Sequence, residues 1–241
     1  DALHVGKFSQ THSGLQIVAS YEEPDKYNTQ GYGYGCQMLD AATGKLIFGH
    51  GKGSTVDVGR CLVADVDSKS PGCEYWSSLG TGLYSCETGE LVSSQLPTAK
   101  GGGNSYNNAV FWTDELTRQM LDGVMIQSYE PSKPWCLKKG MSSWTRVLTL
   151  SYYGEGNDSR CASNNGSKSN PCYYGDFLGD YREEIIMRSN DNKYIYLFSS
   201  NHPTTHRFVQ LMEVHTYDMS QGMQNMGYNQ PTHLGYYIGS D

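Results

Sequence analysis

A polar loop in the second half of the chain carries residue types suited to gripping a hydroxyl-rich, anionic ligand. It reads Asn165-Gly166-Ser167-Lys168, and the polar aromatic segment Tyr228-Asn229-Gln230-Pro231 follows later. Glycine lets the backbone approach a ligand closely, amide and hydroxyl groups offer hydrogen bonds, and lysine adds a positive charge. An Asn-Gly-Ser stretch is also a common turn, so the chemical interpretation depends on the elements that hold the loop.

The composition favours many short strands joined by tight turns. The 241 residues include 28 glycines and 19 tyrosines, and 37% of the chain is hydrophobic. Abundant Gly with Tyr, Thr, Ser and Asn is typical of short strands and their turns. A net charge of -7 argues against a nucleic-acid partner, which needs a basic surface, and is compatible with cation binding. No apolar run approaches the roughly 18 residues of a membrane span.

Three segments repeat the pattern strand, tight loop, strand. The first two copies are residues 2–20 and 60–78, which align without a gap, and the third runs from Cys172 to Ser189. The first two copies are followed by a hairpin whose turn contains Thr-Gly, at Thr43 and at Thr88. Two strands plus a hairpin make a four-stranded unit, and repetition of such a unit predicts an all-β fold, a β-propeller.

A further strand set opens at Ala109, which brings the count to about three to four blades. Residues 114–122 could instead form a short helix that Gly123 ends. Residues 154–170 are expected to form a long loop, and loops on a rigid β scaffold commonly carry binding residues.

Carboxylates recur in register in the loops of two copies. The loop of the third copy offers side-chain or backbone oxygens at every second position: Asp176, Leu178, Asp180, Arg182 and Glu184. The second copy offers Asp65, Asp67 and Glu74. Calcium takes six to eight oxygen ligands in flexible geometry, so both loops are predicted to bind Ca²⁺. The first copy has Lys7, Ser9 and Gln16 there and should hold no ion. The alternative is acidic turns in which Asp caps its own backbone.

The cysteines do not indicate zinc. The seven cysteines include no CxxC pair; they are Cys36, Cys61, Cys73, Cys86, Cys136, Cys161 and Cys172. Buried strand thiols are the expected state, with a Cys161–Cys172 bridge as the alternative, and the cellular compartment stays open on this criterion. The chain starts on a strand-like run without Met or a signal peptide, so we expect a processed or cut product.

Six motifs in one order resemble a known family. They are Asp57-Val58-Gly59-Arg60, Ala64-Asp65-Val66-Asp67, Ser163 to Lys168, Gly179 to Glu184, Pro203-Thr204-Thr205-His206-Arg207 and Tyr228 to Pro231. Essentially all 241 residues resemble the C-terminal part of polysaccharide lyase family eleven, the rhamnogalacturonan lyases. The resemblance implies an eight-bladed β-propeller with many calcium ions. Residues 1–241 would then be the C-terminal part of a single catalytic propeller domain.

The resemblance also implies roles for individual residues. Arg60 and Lys168 would be the functional cation pair. Rhamnose contacts would come from Asn165, Gly166, Ser167, Asn225 and Tyr228. An active-site calcium would be held by Asp1 and Glu22. Tyr21 stands where the family has a histidine, and two further histidine ligands would lie upstream of Asp1, so we expect these 241 residues alone to be inactive.

The implied activity is calcium-assisted β-elimination at the rhamnose–galacturonic acid bond of rhamnogalacturonan I, the pectin backbone. The expected partners are this polysaccharide and the missing N-terminal part of the same propeller, and the expected location is extracellular or periplasmic. An alternative is a non-catalytic, calcium-stabilised propeller that binds carbohydrate or protein. A hydrolase would need two carboxylates flanking the scissile bond, and no such pair is identifiable in the sequence.

Other conspicuous residues have structural interpretations. His206 and Arg207 are expected to be structural, although contact with the polymer is an alternative. His4 should be an interior histidine with its hydrogen bonds satisfied. Trp76 and Trp112 should pack within blades, whereas Trp135 and Trp144 are candidate sugar platforms.

Overall fold

Short runs of apolar residues bounded by Gly, Asp and Ser turns form antiparallel strands in the computed structural model of the chain. The structure describes residues 2–22, 33–53, 55–97, 104–129, 146–224 and 231–239. Within these ranges the strands make four sheets of four strands each. The predicted all-β class is therefore confirmed.

The first two sheets follow the chain order β1-β2-β3-β4 and β5-β6-β7-β8. The strands of the first sheet are β1 (Leu3–Gly6), β2 (Gln16–Ser20), β3 (Tyr34–Asp40) and β4 (Leu46–Lys52). Those of the second are β5 (Cys61–Ala64), β6 (Glu74–Ser77), β7 (Leu83–Ser85) and β8 (Leu91–Ser93). In both sheets the first pair is the predicted strand repeat and the second pair is the predicted hairpin.

The third and fourth sheets lie in the second half of the chain. The third has the order β12-β11-β10-β9, with strands β9 (Asn108–Val110), β10 (Gln119–Asp122), β11 (Met125–Gln127) and β12 (Arg146–Thr149). The fourth contains β13 (Cys161–Ala162), β14 (Tyr173–Gly175), β15 (Glu184–Ser189) and β16 (Ile195–Phe198). The alternative helix over 114–122 is wrong, because bends lead there into β10, which pairs with both β9 and β11.

The long segment before β14 contributes a short strand, β13, that pairs with β15. β15 pairs with β14 through residues 184–186 and with β13 through residues 188–189, and β16 pairs along its length. β13 and β14 thus form one interrupted strand beside β15, and the loop between them carries Asn165 to Lys168. The expected long loop 154–170 contains this strand segment, since Cys161 and Ala162 have backbone partners on β15.

Helical structure is brief in the described ranges. It consists of three 3₁₀ turns and α1, namely Leu150–Tyr152, Gly166–Lys168, Leu211–Glu213 and α1 (His215–Gln221). None of these helices is long and apolar enough to cross a membrane.

The chain forms two compact units, each with its own apolar core. The first unit comprises residues 1–96 and 233–241, and the second comprises residues 97–232. Val18, Met38, Val63 and Tyr75 belong to the core of the first unit. Leu121, Ile126, Ile185 and Met187 belong to that of the second. Each core takes side chains from two sheets, so neither sheet of a unit would be buried without the other.

The interior residues singled out in the sequence behave as expected. His4 is 1% exposed, with Nδ1 3.1 Å from Nε2 of His233 and Nε2 3.0 Å from the carbonyl oxygen of Cys61. Trp76 and Trp112 are buried, which confirms their packing role, whereas Trp135 and Trp144 lie outside the described residues. Neither Cys161 nor Cys172 is disulfide-bonded, so the alternative bridge between them does not form.

Candidate functional site

Lys168 lies on a tightly wound turn between β13 and β14. Gly166–Lys168 form a 3₁₀ turn, and the residues that flank it, Asn165 and Ser169, have left-handed φ values of 60° and 52°. Gly166 also has a positive φ, of 52°. Such conformations cost free energy for non-glycine residues and cluster at functional sites. The half-buried Lys168 is therefore held on a loop of unusual backbone geometry.

The base of this loop is closed by backbone pairing and by an arginine that sequence reasoning missed. Asn164 and Asn170 form an isolated bridge, with N–O distances of 2.7 and 3.1 Å. Arg188, on β15, donates from Nε to Oδ1 of Asn164 at 2.8 Å and from Nη2 to the carbonyl oxygen of Ser163 at 2.9 Å. A guanidinium fork that spans side chain and backbone restricts the loop's orientation. The sequence signal for this role was a charged residue, Arg188, within the second strand of the third repeat copy.

Arg60 belongs to the first unit, where its segment adjoins the candidate residue Glu22. Arg60 is half-buried and directly precedes β5, and its carbonyl oxygen accepts a hydrogen bond from the Ser78 backbone N–H at 2.8 Å. Two residues earlier, the Val58 N–H donates to the carbonyl oxygen of Tyr21 at 3.2 Å. Glu22 follows Tyr21 at an exposed bend. The structure thus brings the Arg60 and Glu22 segments together.

Several predicted site residues lie outside the described residues. These are Asp1, Asn225 and Tyr228, whose assignments stay predictions. Gly166 is exposed, and Ser167 is placed through the backbone of its 3₁₀ turn. Of the predicted rhamnose contacts, the structure groups Asn165, Gly166 and Ser167 with Lys168.

An equivalent buried acceptor closes the loop that follows the first strand of every sheet. In the fourth sheet, where β13 and β14 together make the first strand, this is the loop from β14 to β15, and it is counted as the first loop of that sheet. In each case one side-chain oxygen accepts hydrogen bonds from two consecutive backbone N–H groups of the loop, at 2.9–3.2 Å. The four acceptors are Gln16, Glu74, Gln119 and Glu184. All four side chains are at most 1% exposed. The repeat seen in three sequence segments therefore extends to the third sheet through Gln119.

An amide acceptor also has an N–H donor for a loop carbonyl, whereas a carboxylate acceptor has none. Gln16 donates from Nε2 to the carbonyl oxygen of Gly14 at 2.9 Å, and Gln119 donates to that of Thr117 at 3.1 Å. An ionised carboxylate has no donor for such carbonyls. The loops with Glu74 and Glu184 consequently need another group, such as a hydroxyl, a cation or a proton, to face the second carboxylate oxygen.

The loop of the second sheet fits a cation. Oε1 of Glu74 is buried and has no hydrogen-bond partner among the described residues. Asp65 is 2% exposed and accepts a hydrogen bond from the Tyr237 hydroxyl at 2.7 Å. Burial, reinforced by the nearby Asp65 charge, raises the pKa of Glu74 to about 9. Two buried carboxylates favour a divalent ion that supplies the missing charge, with loop carbonyls as further oxygen ligands.

In the loop of the fourth sheet, more of the carboxylate oxygens accept hydrogen bonds from the protein itself. Asp176, fully buried, accepts backbone hydrogen bonds from Gly179, Asp180 and Leu211 at 2.7–3.0 Å. Glu184 Oε1 accepts one from the Ser199 hydroxyl at 3.3 Å. Asp180 forms an ion pair with Arg182.

Leu178 is exposed, and its N–H donates to Glu184. Backbone capping by Asp, the alternative weighed for these loops, accounts for Asp176. The carboxylates of the second sheet therefore fit calcium better than those of the fourth.

Side chains alone do not build a metal centre in the described ranges. No group of three or more His, Cys, Asp and Glu side chains there comes together in an arrangement that could hold a metal ion. In the second loop, Asp67 accepts a hydrogen bond from the Lys69 N–H at 3.2 Å. Any ion there would rely on Glu74 and Asp65 with backbone oxygens.

His206 and Arg207 line a cavity of the second unit instead of occupying a strand end. The cavity has a volume of about 220 Å³ and is also lined by the Asp180–Arg182 ion pair and by Phe208. Residues 201–210 have no regular secondary structure. The structure thus gives these two residues a surface setting compatible with binding.

Comparison with known proteins places the chain in a family. Residues 1–241 match the family described as rhamnogalacturonan lyase family 11, C-terminal domain. The chain is 33% identical to the rhamnogalacturonan endolyase YesW of Bacillus subtilis (strain 168) over 239 residues, which are 99% of this chain and 33% of that protein. It is 30% identical to the rhamnogalacturonan exolyase YesX of the same organism over 249 residues, or 100% of this chain and 37% of that protein.

A solved structure agrees with these matches. The Bacillus licheniformis rhamnogalacturonan lyase PL11 superposes with a TM-score of 0.80 at 30% identity, over 100% of this chain and 35% of that one. The chain therefore belongs to rhamnogalacturonan lyase family 11 and corresponds to its C-terminal domain. It spans about a third of the length of these relatives.

Proposed function

We propose that the protein carrying this chain is a rhamnogalacturonan lyase that cleaves the rhamnose–galacturonic acid bond of rhamnogalacturonan I by β-elimination. The main structural support is the turn from Asn165 to Ser169, where three residues with positive φ hold Lys168 between two segments of one strand. Membership of the family supplies the reaction class. One relative is named an endolyase and another an exolyase, and we assign neither mode to this protein.

The reaction requires positive charge and a proton acceptor. A base removes the C5 proton of the galacturonic acid, the C4–O bond to the departing sugar breaks, and a C4–C5 double bond forms. The departing oxygen takes up a proton. Removal of the C5 proton builds negative charge beside a carboxylate, so cationic groups that face this carboxylate stabilise the transition state.

Arg60 and Lys168 would divide these tasks. A guanidinium hardly deprotonates, so Arg60 would bind the uronate carboxylate through its planar fork. Lys168 would be the group that accepts the C5 proton. Asn165 and Ser167 would position the neighbouring rhamnose through hydrogen bonds, with Asn225 and Tyr228 completing the contact. Calcium, held in part by Asp1 and Glu22, would supply further positive charge beside the carboxylate.

The four sheets would be blades of a β-propeller whose remaining blades come from another part of the protein. Four successive four-stranded antiparallel sheets with equivalent first loops support this architecture. Structural calcium would bind the loop with Asp65 and Glu74, and less favourably the loop with Asp176 and Glu184. Since the substrate is a cell-wall polymer, we propose a secreted protein, extracellular or periplasmic.

Replacement of Lys168 tests the assignment. The Lys168→Ala variant of the protein, expressed from its complete gene, should lose about 10²- to 10⁴-fold in turnover, because a positioned proton acceptor contributes that much. The measurement is the ultraviolet absorbance of the unsaturated uronate formed from rhamnogalacturonan I in the presence of calcium.

Lys193→Ala is the matched control, since Lys193 is an exposed lysine of the same unit and should leave turnover unchanged. Full turnover by Lys168→Ala would refute its role. Absence of any absorbance rise with the unsubstituted protein would refute the lyase assignment, and the alternative of a non-catalytic carbohydrate-binding propeller would then apply.

A further inference from the structure

The cavity beside the fourth sheet has an aromatic wall. Phe208 is 37% exposed, and its ring meets that of Tyr181 edge-on at a centroid distance of 5.3 Å. The His206 ring lies 6.3 Å from that of Phe208 at an interplanar angle of 20°. Tyr181 is 1% exposed and supports both rings from below. The wall therefore offers solvent the partly exposed ring of Phe208, which Tyr181 and His206 hold in place.

The rim of the cavity carries a fixed guanidinium. Nη1 of the exposed Arg207 donates to the carbonyl oxygens of Thr204 and His206 at 3.1 and 2.7 Å. These bonds orient the guanidinium and leave Nε and Nη2 with hydrogen-bonding capacity. The second arginine of the cavity, Arg182, is already paired with Asp180. Since Arg182 also lies near the carboxylate of Glu184, Arg207 is the guanidinium of this cavity that makes no ion pair among the described residues.

We propose that this cavity binds a hexuronate residue of an acidic polysaccharide, with the sugar ring on Phe208 and the carboxylate on Arg207. An inorganic anion would use the guanidinium and gain nothing from Phe208. A neutral sugar would use the ring and gain nothing from the charge. A uronate uses both groups. The inference rests on the proposed function, since it gives an acidic polymer a second contact besides the Lys168 turn.

Calorimetric titration with a galacturonic acid trimer tests the cavity, because this trimer lacks the rhamnose–galacturonate bond and is not consumed. The protein should be expressed from its complete gene. Arg207→Ala should weaken binding by about 10- to 100-fold, the loss expected for hydrogen bonds to a charged group. Phe208→Ala should weaken it by about 2- to 10-fold. Arg207→Lys should fall between Arg207→Ala and the unsubstituted protein, since it keeps the charge and loses the fork.

Controls separate charge, ring and folding effects. Arg160→Ala, an exposed arginine of the same unit, should leave binding unchanged. A galactose trimer and inorganic sulfate should each bind at least about 10-fold more weakly than the uronate trimer, because each satisfies only half of the cavity. Thermal unfolding of each variant verifies that it folds.

The proposal is overturned if Arg207→Ala binds the uronate trimer as the unsubstituted protein does, or if the galactose trimer binds equally well. It is also overturned if only Lys168→Ala abolishes binding, since the ligand would then occupy the proposed lyase site. Arg207-dependent binding by a protein without lyase activity would refute the proposed function alone. Lyase activity without such binding would refute the uronate cavity alone.

Discussion

His50 of the first unit illustrates how burial alone sets the properties of a side chain. Its ring stacks on that of Tyr84 at a centroid distance of 4.3 Å, with an interplanar angle of 6°. Nε2 lies 2.8 Å from the Ser77 hydroxyl oxygen, and Nδ1 is buried without a hydrogen-bond partner among the described residues. Burial lowers the pKa of His50 to about 4, since a charged imidazole would lose its hydration.

This depression predicts a pH dependence of stability. Between pH 6.5 and about 4 the unfolded state binds more protons at this position than the folded state, so stability rises with pH in this window. The contribution of His50 is complete above the unfolded pKa and falls by about 3 kcal/mol as the pH drops through the window. His50→Phe, which keeps a flat ring beside Tyr84, should remove this contribution.

Denaturant unfolding at several pH values between 4 and 7 measures the difference between the two proteins. The difference in unfolding free energy between His50→Phe and the unsubstituted protein should change with pH in this window. Equal pH profiles for His50→Phe and the unsubstituted protein would contradict a buried neutral imidazole.

At the scale of elements, the first loop of each sheet has the same hydrogen-bonding pattern, with either an amide or a carboxylate as the acceptor. A buried side-chain oxygen gathers two consecutive backbone N–H groups in all four loops. The loops that end in Gln16 and Gln119 complete themselves, because the amide also donates to a loop carbonyl. The loop that ends in Glu74 leaves one carboxylate oxygen without a hydrogen-bond partner among the described residues. An amide therefore completes its loop by itself, whereas a carboxylate depends on an outside partner, which is the Ser199 hydroxyl for Glu184 and would be a cation for Glu74.

Glu74→Gln should convert the second loop to the self-sufficient type. Without calcium, the variant should be at least as stable as the unsubstituted protein, because it removes a buried uncompensated carboxylate. With calcium at about 100 times its dissociation constant, the unsubstituted protein should gain about 3 kcal/mol from this site, and the variant should not. Thermal unfolding with and without calcium measures both effects.

Glu90→Gln provides a control in the same sheet, because Glu90 is exposed in the turn between β7 and β8. It should respond to calcium as the unsubstituted protein does. If Glu74→Gln kept the complete calcium response, the ion would bind elsewhere and the loop with Asp65 would have no metal-binding role.

At the scale of the whole chain, segments distant in sequence converge on the carboxylate of Glu183 in the second unit. Arg118 approaches it at 3.4 Å, and both side chains are at most 5% exposed. The Phe111 N–H and the Tyr217 hydroxyl donate to it at 2.8 and 2.7 Å, and the Thr232 hydroxyl donates to it as well. A single carboxylate thereby joins the third sheet, the fourth sheet, α1 and the segment after it.

Removal of this carboxylate should destabilise the second unit strongly. Glu183→Ala leaves the buried Arg118 guanidinium without its counter-ion, and such a loss typically costs about 3–5 kcal/mol. The exposed Glu213 offers a matched control, and Glu213→Ala should change stability by less than about 0.5 kcal/mol. Denaturant unfolding is the measurement. A loss below about 1 kcal/mol for Glu183→Ala would mean that the network adds little to stability, as some buried pairs do.

Much of the architecture was accessible from the sequence, because strand periodicity and turn residues are local signals. The strand–loop–strand copies and the two Thr-Gly hairpins appear where the repeat predicts them. The third sheet was harder to recognise, since Asp114 to Asp122 is compatible with a helix and its loop lacks the acidic pattern. Only the hydrogen bonds of Gln119 show that this loop is equivalent to the other three.

For the candidate site, too, some features could be predicted from the sequence and others only from the tertiary structure. The residue types at Asn165 to Lys168 predicted contact with a hydroxyl-rich, anionic ligand, and those of the acidic loops predicted calcium. The role of Arg60 came only from the family resemblance, and these assignments stay predictions. Side-chain partners come from residues far away in the chain, so the sequence did not indicate that Arg188 clamps the Lys168 loop. It also did not show that Arg182 pairs with Asp180, or that Arg207 and Phe208 border one cavity.

The sequence by itself determined the strand repeats and hairpins of the first two sheets, the turns and the chemical character of the loops, because these depend on neighbouring residues. Tertiary structure alone decided which carboxylates have hydrogen-bond partners and which are buried without them. Burial and hydrogen-bond partners are set only when distant segments pack together.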